Sequence, residues 1–121
     1  MNFKIISSFI LPLALLVTGC NPIGDIHNNE LVAIESEWVE SYNDAETPTE
    51  TAAVTRLTAK KLGRLKLKVN NSRYEETLQE LVDLFEELAI AWDQEDIDKA
   101  NALLASKDRI IEKLNSLAGA E

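Results

Sequence analysis

An all-α bundle is predicted for this chain by three features of its sequence. Apolar residues return every three or four positions, no alternating run reaches strand length, and capping residues stand where helices would start. The composition agrees: Leu, Ala, Glu and Lys dominate the body of the chain, while the 4 glycines and 3 prolines fall mostly near its two ends. Some 121 residues, the first of them set apart by composition, leave enough for one core and too few for two.

The first nineteen residues read as a processing signal and are excluded from the fold. Lys4 supplies a weak positive charge, Ile5 to Val17 an apolar run broken by Pro12, and Thr18-Gly19 small residues before a cut. Such a run is well short of the roughly 20 residues that span a bilayer. The stretch Leu16-Val17-Thr18-Gly19-Cys20 resembles the lipobox of bacterial lipoproteins. The resemblance implies that Cys20, the only cysteine, becomes the first residue and carries a diacylglyceryl group and a further acyl chain. Two or three chains make detachment from a membrane negligible, at about 0.8 kcal/mol per buried methylene. Asn21 is not the Asp that retains enterobacterial lipoproteins in the inner membrane, so in a Gram-negative source the outer membrane, facing the periplasm, is expected.

Residues 20–29 follow as a lipidated cysteine and tether, rich in Asn with one Pro and one Gly. His27, the only histidine, falls there and has neither Cys nor a second His beside it to make a metal site. The domain is then expected over residues 30–121, as three long helices and a shorter first one in an up-and-down bundle. The first helix, about 30–45, starts from Asn29 as a cap and puts Leu31, Ile34, Trp38, Tyr42 and Ala45 on one face. Thr47-Pro48-Thr49-Glu50 is a capping box with proline at the first helical position, opening a helix over about 48–69. Val54, Leu57, Thr58, Leu62, Leu65 and Val69 are expected on its buried side and Gly63 opposite. Asn70-Asn71 make a turn, and Ser72 with Glu75 repeats the box before a helix over about 73–92. There Tyr74, Leu78, Leu81, Phe85, Leu88 and Trp92 form one seam by alternate steps of four and three. Asp93 or Asp96 caps a last helix over about 96–117, whose broad apolar face runs from Ile97 through Leu104 and Ile111 to Leu117.

Charge is segregated in a chain whose net charge is −9. Between Thr51 and Tyr74 no residue is acidic, and Arg56, Lys60, Arg64 and Lys68, spaced by four, make a basic ridge along the second helix. Two roles suit it. It can pair with the acidic flanks of neighbouring helices, where Glu76, Glu80, Asp83 and Glu87 form a matching row, or it can dock an anionic partner. Nucleic acid is not expected of so acidic a chain with an envelope address.

The expected helices hold no histidine or cysteine, no glycine-rich phosphate loop and no nucleophile motif, so no enzyme, cofactor or metal is expected. The reading that remains is a lipid-anchored, non-enzymatic envelope protein that binds another protein as a scaffold module, with a homo-oligomer open. An immunity or inhibitor lipoprotein against a toxin, or a carrier of a small apolar ligand or lipid within the bundle, are the alternatives. A cavity of roughly 300 Å³ between the helices would mark the carrier.

Overall fold

The computed structural model describes residues 25–69 and 72–118; the signal, Cys20, the start of the tether and the Asn70-Asn71 turn lie outside them. Four helices follow one another: α1 (Asp25–Asp44), α2 (Pro48–Lys68), α3 (Ser72–Asp93) and α4 (Ile97–Ala118). Close backbone approach joins α1 to α2, α2 to α3 and α3 to α4, so each helix lies against its neighbour in sequence. This is the all-α bundle expected.

One length differs. The first helix has 20 residues against 21, 22 and 22 for the others, because it begins at Asp25 and takes in the second half of the expected tether, His27 included. Asparagine lowers helix propensity by only several tenths of a kcal/mol, roughly, and a helix already nucleated gains a backbone hydrogen bond with each residue added.

The start of α2 is the capping box in full. Glu50 N–H donates to Thr47 Oγ1 at 3.1 Å, and Glu50 Oε1 accepts from Thr47 N–H at 3.2 Å and from Glu46 N–H at 2.8 Å. Three donors at the head of the helix are thereby satisfied, with Pro48 at a position that needs none. For α3 the corresponding Ser72 side chain lies outside what is described, and the helix begins at Ser72 itself.

Between α3 and α4 the chain reverses in a tight hairpin. Asp96 N–H reaches Ala91 O at 2.9 Å and Glu95 N–H reaches Trp92 O at 3.0 Å, the paired bonds of a Schellman turn. Glu95 sits at its left-handed position with φ 55°, where glycine is the usual residue. Asp96 then caps α4, its Oδ1 accepting from Lys99 N–H at 3.1 Å.

The α3 seam packs as its spacing requires: Tyr74, Leu78, Leu81, Phe85, Leu88 and Trp92 are all buried. On α2 Thr58, Leu62, Leu65 and Val69 are buried as expected, but the face extends to small residues the spacing did not include and leaves out Leu57. Thr51, Ala52, Thr55, Thr58 and Ala59 join Leu62 and Leu65 inside, Val54 is half-buried, and Leu57 points outward at 51 % exposure. The cause is steric. Trp38 and Tyr42 of α1 and Phe85 and Trp92 of α3 form a chain of rings at centroid distances of 4.8 to 6.0 Å, and only small residues on the facing helix leave them room. The threonine hydroxyls bring no unmet polar atom inside, because each donates to a carbonyl one turn back, at 2.9, 2.8 and 3.0 Å for Thr51, Thr55 and Thr58. Thr55 Oγ1 also accepts the Trp38 indole N–H at 3.3 Å, which ties α1 to α2 within the core.

The left-handed Glu95 yields a test. An L side chain there costs about 1 kcal/mol relative to glycine, part of which is offset by glycine's greater freedom when unfolded. Glu95→Gly is expected to raise the free energy of urea unfolding by about 0.5 kcal/mol, with the slope against urea unchanged.

Candidate functional site

The basic ridge divides when its four residues are placed. Arg56 Nη2 lies 2.6 Å from Asp93 Oδ2 of α3, and Lys68 Nζ lies 2.8 Å from Glu30 Oε2 of α1. The two ends of the ridge therefore hold neighbouring helices, and beside them Lys61 pairs with Glu37 at 2.7 Å and Lys66 donates to Gln79. The acidic flank of α1 supplies partners as expected, through Glu30 and Glu37, whereas the α3 row of Glu76, Glu80, Asp83 and Glu87 gives the ridge none of its ion pairs and Glu80 turns to Lys113 of α4 at 2.9 Å. Lys60 and Arg64, in the middle of the ridge, are exposed and make neither an ion pair nor a side-chain hydrogen bond among the described residues.

These two cations do not stand alone. Leu57 and Leu67 are exposed on the same outward side of α2, at 51 % and 79 %, and with Ile90 of α3 they are the large apolar side chains exposed among the described residues. Helical spacing brings Leu57, Lys60, Arg64 and Leu67 together, three or four residues apart. Gly63 lies beside them with open space where a side chain would be. Spacing alone places Leu57 in the core; Thr55, which meets Trp38, lies about 200° around the helix from it, and Leu57 faces outward.

A second feature escaped the sequence reading altogether. Lys107 of α4 is fully buried, its ammonium 3.1 Å from Glu35 Oε2 of α1 and 5.7 Å from the centre of the Trp38 ring. Asp108 Oδ1 is 4.0 Å away. Burial pushes the Asp108 carboxyl up from its ordinary value, Lys107 opposes that shift and Glu112 adds to it. Tyr42 and Tyr74 are likewise raised by burial, Tyr42 against the opposing influence of the Trp92 side chain. The signal for Lys107 is in the sequence: Ala100, Leu104, Lys107, Ile111 and Leu114 follow steps of four and three, and a lysine in such a seam is a buried one.

The chemistry open to Lys107 is limited by space. The cavity it lines with Glu35, Leu31, Thr58, Phe85 and Ile111 measures about 10 Å³, the size of a single water-sized sphere. That is far below the roughly 300 Å³ of a ligand site. The pair thus works as a tie between α1 and α4, whose backbones do not approach closely among the described residues. Among the described residues no three His, Cys, Asp or Glu side chains gather as metal ligands, and no helix is long and apolar enough to cross a membrane. Comparison with protein-family models, curated proteins and solved structures returns no match to this chain.

Two outcomes follow from the buried pair. Glu35→Leu strands the Lys107 ammonium and is expected to cost about 3 to 5 kcal/mol in urea unfolding, whereas Glu35→Leu with Lys107→Met removes both charges and returns most of that loss. Asp108 carries its own pH dependence. A carboxyl whose folded pKa is raised lowers stability once it ionises; the penalty is absent below about pH 3.9 and full above the folded value. Asp108→Asn is therefore expected to raise stability at neutral pH and leave it unchanged in acid, read from unfolding curves across that range.

Proposed function

We propose that this chain is a lipid-anchored, non-enzymatic envelope protein that acts by binding another protein, with the outward side of α2 as its docking surface. The observation that carries the reading is the solvent-facing group of Leu57, Lys60, Arg64 and Leu67, in which the cations have no internal partner. Leu57 and Leu67 leave apolar surface in water, and the cations between them match a partner with acidic groups around an apolar centre. The lipobox resemblance at Leu16 to Cys20 supplies the address: the cell envelope, and the periplasmic side of the outer membrane in a Gram-negative source. Carriage of an apolar ligand inside the bundle is not proposed, because among the described residues the cavity beside Lys107, lined from all four helices, is about 10 Å³.

Site-directed photocrosslinking in cells producing the full chain tests this. With a benzophenone amino acid at Leu67 or Lys60, a discrete adduct is expected, and none at exposed Lys99 of α4. Equal adducts at all three positions, or none on α2, would overturn the docking surface. In parallel, label from an alkynyl fatty acid is expected on the parent chain and not on Cys20→Ala; label retained by the variant would remove the anchor.

A further inference from the structure

We infer that the partner of this surface is a second copy of the same chain, docked through the side of the bundle that α2 and α3 share. The inference rests on the reading of α2 as a docking surface and names what covers it. α3 presents outward the opposite charge to α2: Glu75, Glu76, Asp83, Glu86 and Glu87 are exposed, with the half-exposed Ile90 at the end of the row. The two helices therefore offer a cationic strip with leucines beside an anionic strip with an isoleucine.

Two contacts set the levels of these strips. Arg56 meets Asp93 at one end and Lys66 meets Gln79 at the other, so α2 and α3 run antiparallel. At a rise of about 1.5 Å per residue, Leu57 stands level with Ile90, Lys60 with Glu86 and Glu87, and Arg64 with Asp83. A two-fold axis parallel to the helices and lying between them on the outer surface preserves these levels while laying α2 of one copy over α3 of the other. Lys60 then faces Glu86 and Glu87, Arg64 faces Asp83, and Leu57 faces Ile90, each twice. An axis across the helices would instead set cation on cation and carboxylate on carboxylate. Gly63, with open space around it, lets the two surfaces approach closely.

The area is adequate. Two helices about 31 Å long and about 10 Å apart present roughly 600 Å² per copy, or about 1,200 Å² in all, the lower edge of stable interfaces. Arg56, Lys61, Lys66 and Lys68 are held within their own bundle, which leaves Lys60 and Arg64 for the second copy. The net charge of −9 opposes association at long range, and salt near physiological strength screens it beyond about 8 Å.

The test is sedimentation equilibrium of the full chain in density-matched detergent, through the micromolar range. The parent chain is expected to be dimeric. K60E/R64E makes both strips acidic, and D83K/E86K leaves α2 cationic while placing two cations on α3, so each alone is expected to be monomeric with unchanged helicity. Mixed in equal amounts, they are expected to recover the dimer, which a merely structural effect of the substitutions would not do. A monomeric parent chain, a dimer that either variant leaves intact, or a mixture that stays monomeric while the parent dimerises would each overturn the inference. Crosslinking separates the levels of failure: an adduct at Leu67 with a different envelope protein would retain the docking surface and remove the second copy. If the parent is monomeric and no adduct forms, both readings fall.

Discussion

The rest of the structure depends on the row of aromatic rings between α1 and α3, and on the small residues of α2 that make room for it. Trp38, Tyr42, Phe85 and Trp92 are among the largest side chains in the core, and they interlock with Trp38 on Phe85 and Tyr42 on Trp92 edge to face and Trp38 tilted on Tyr42. Leucines in place of Thr51, Thr55 and Ala59 would hold α2 off that row. With threonine and alanine there, α2 seats closely, and one hydroxyl meets the indole N–H of Trp38. Everything on the outward side of α2 follows from that seating, because burial of the small stripe turns Leu57, Lys60, Arg64 and Leu67 to solvent.

The Lys107 and Glu35 pair completes the closure in a different way. α1 and α4 are the outer helices in chain order, and their backbones stay apart among the described residues. A long lysine side chain reaches across, its stem among leucines and its ammonium against a carboxylate and an indole face. An apolar pair would hold the helices with less desolvation, but it would not specify which level of α1 meets which level of α4. The pair therefore sets register, and it does so at a place where backbone contact is missing.

The sequence was legible where a single local rule decides the outcome. The Thr47 to Glu50 cap, the α3 seam and the turn before Asp96 are each set within a few residues, by hydrogen bonds or by one periodic stripe. It misled where two rules compete. On α2 hydrophobicity places Leu57 inside, while the volume of rings on other helices places threonine there, and no window of α2 holds that information. At Asp25 to Asn29 the low helix propensity of asparagine yields to extension of a formed helix. The ridge was visible as spacing, but which of its members find carboxylates depends on the relative heights of three helices. Lys107 stands on an apolar seam, where the 4-3 spacing is a better guide to burial than its charge.

The order of the helices also bears on how fast the fold forms. Each close pair joins sequence neighbours through a short connection, so loop closure costs little entropy and the chain can zip from hairpin to hairpin. The exception spans 72 positions, the separation of Glu35 and Lys107. That contact joins the first helix to the last, and because the cavity around Lys107 is lined from all four helices it removes a charge from water only when the other three are in place. Its formation is then a late event on the folding route, and a change at Lys107 acts on the lifetime of the folded state more than on the speed of reaching it.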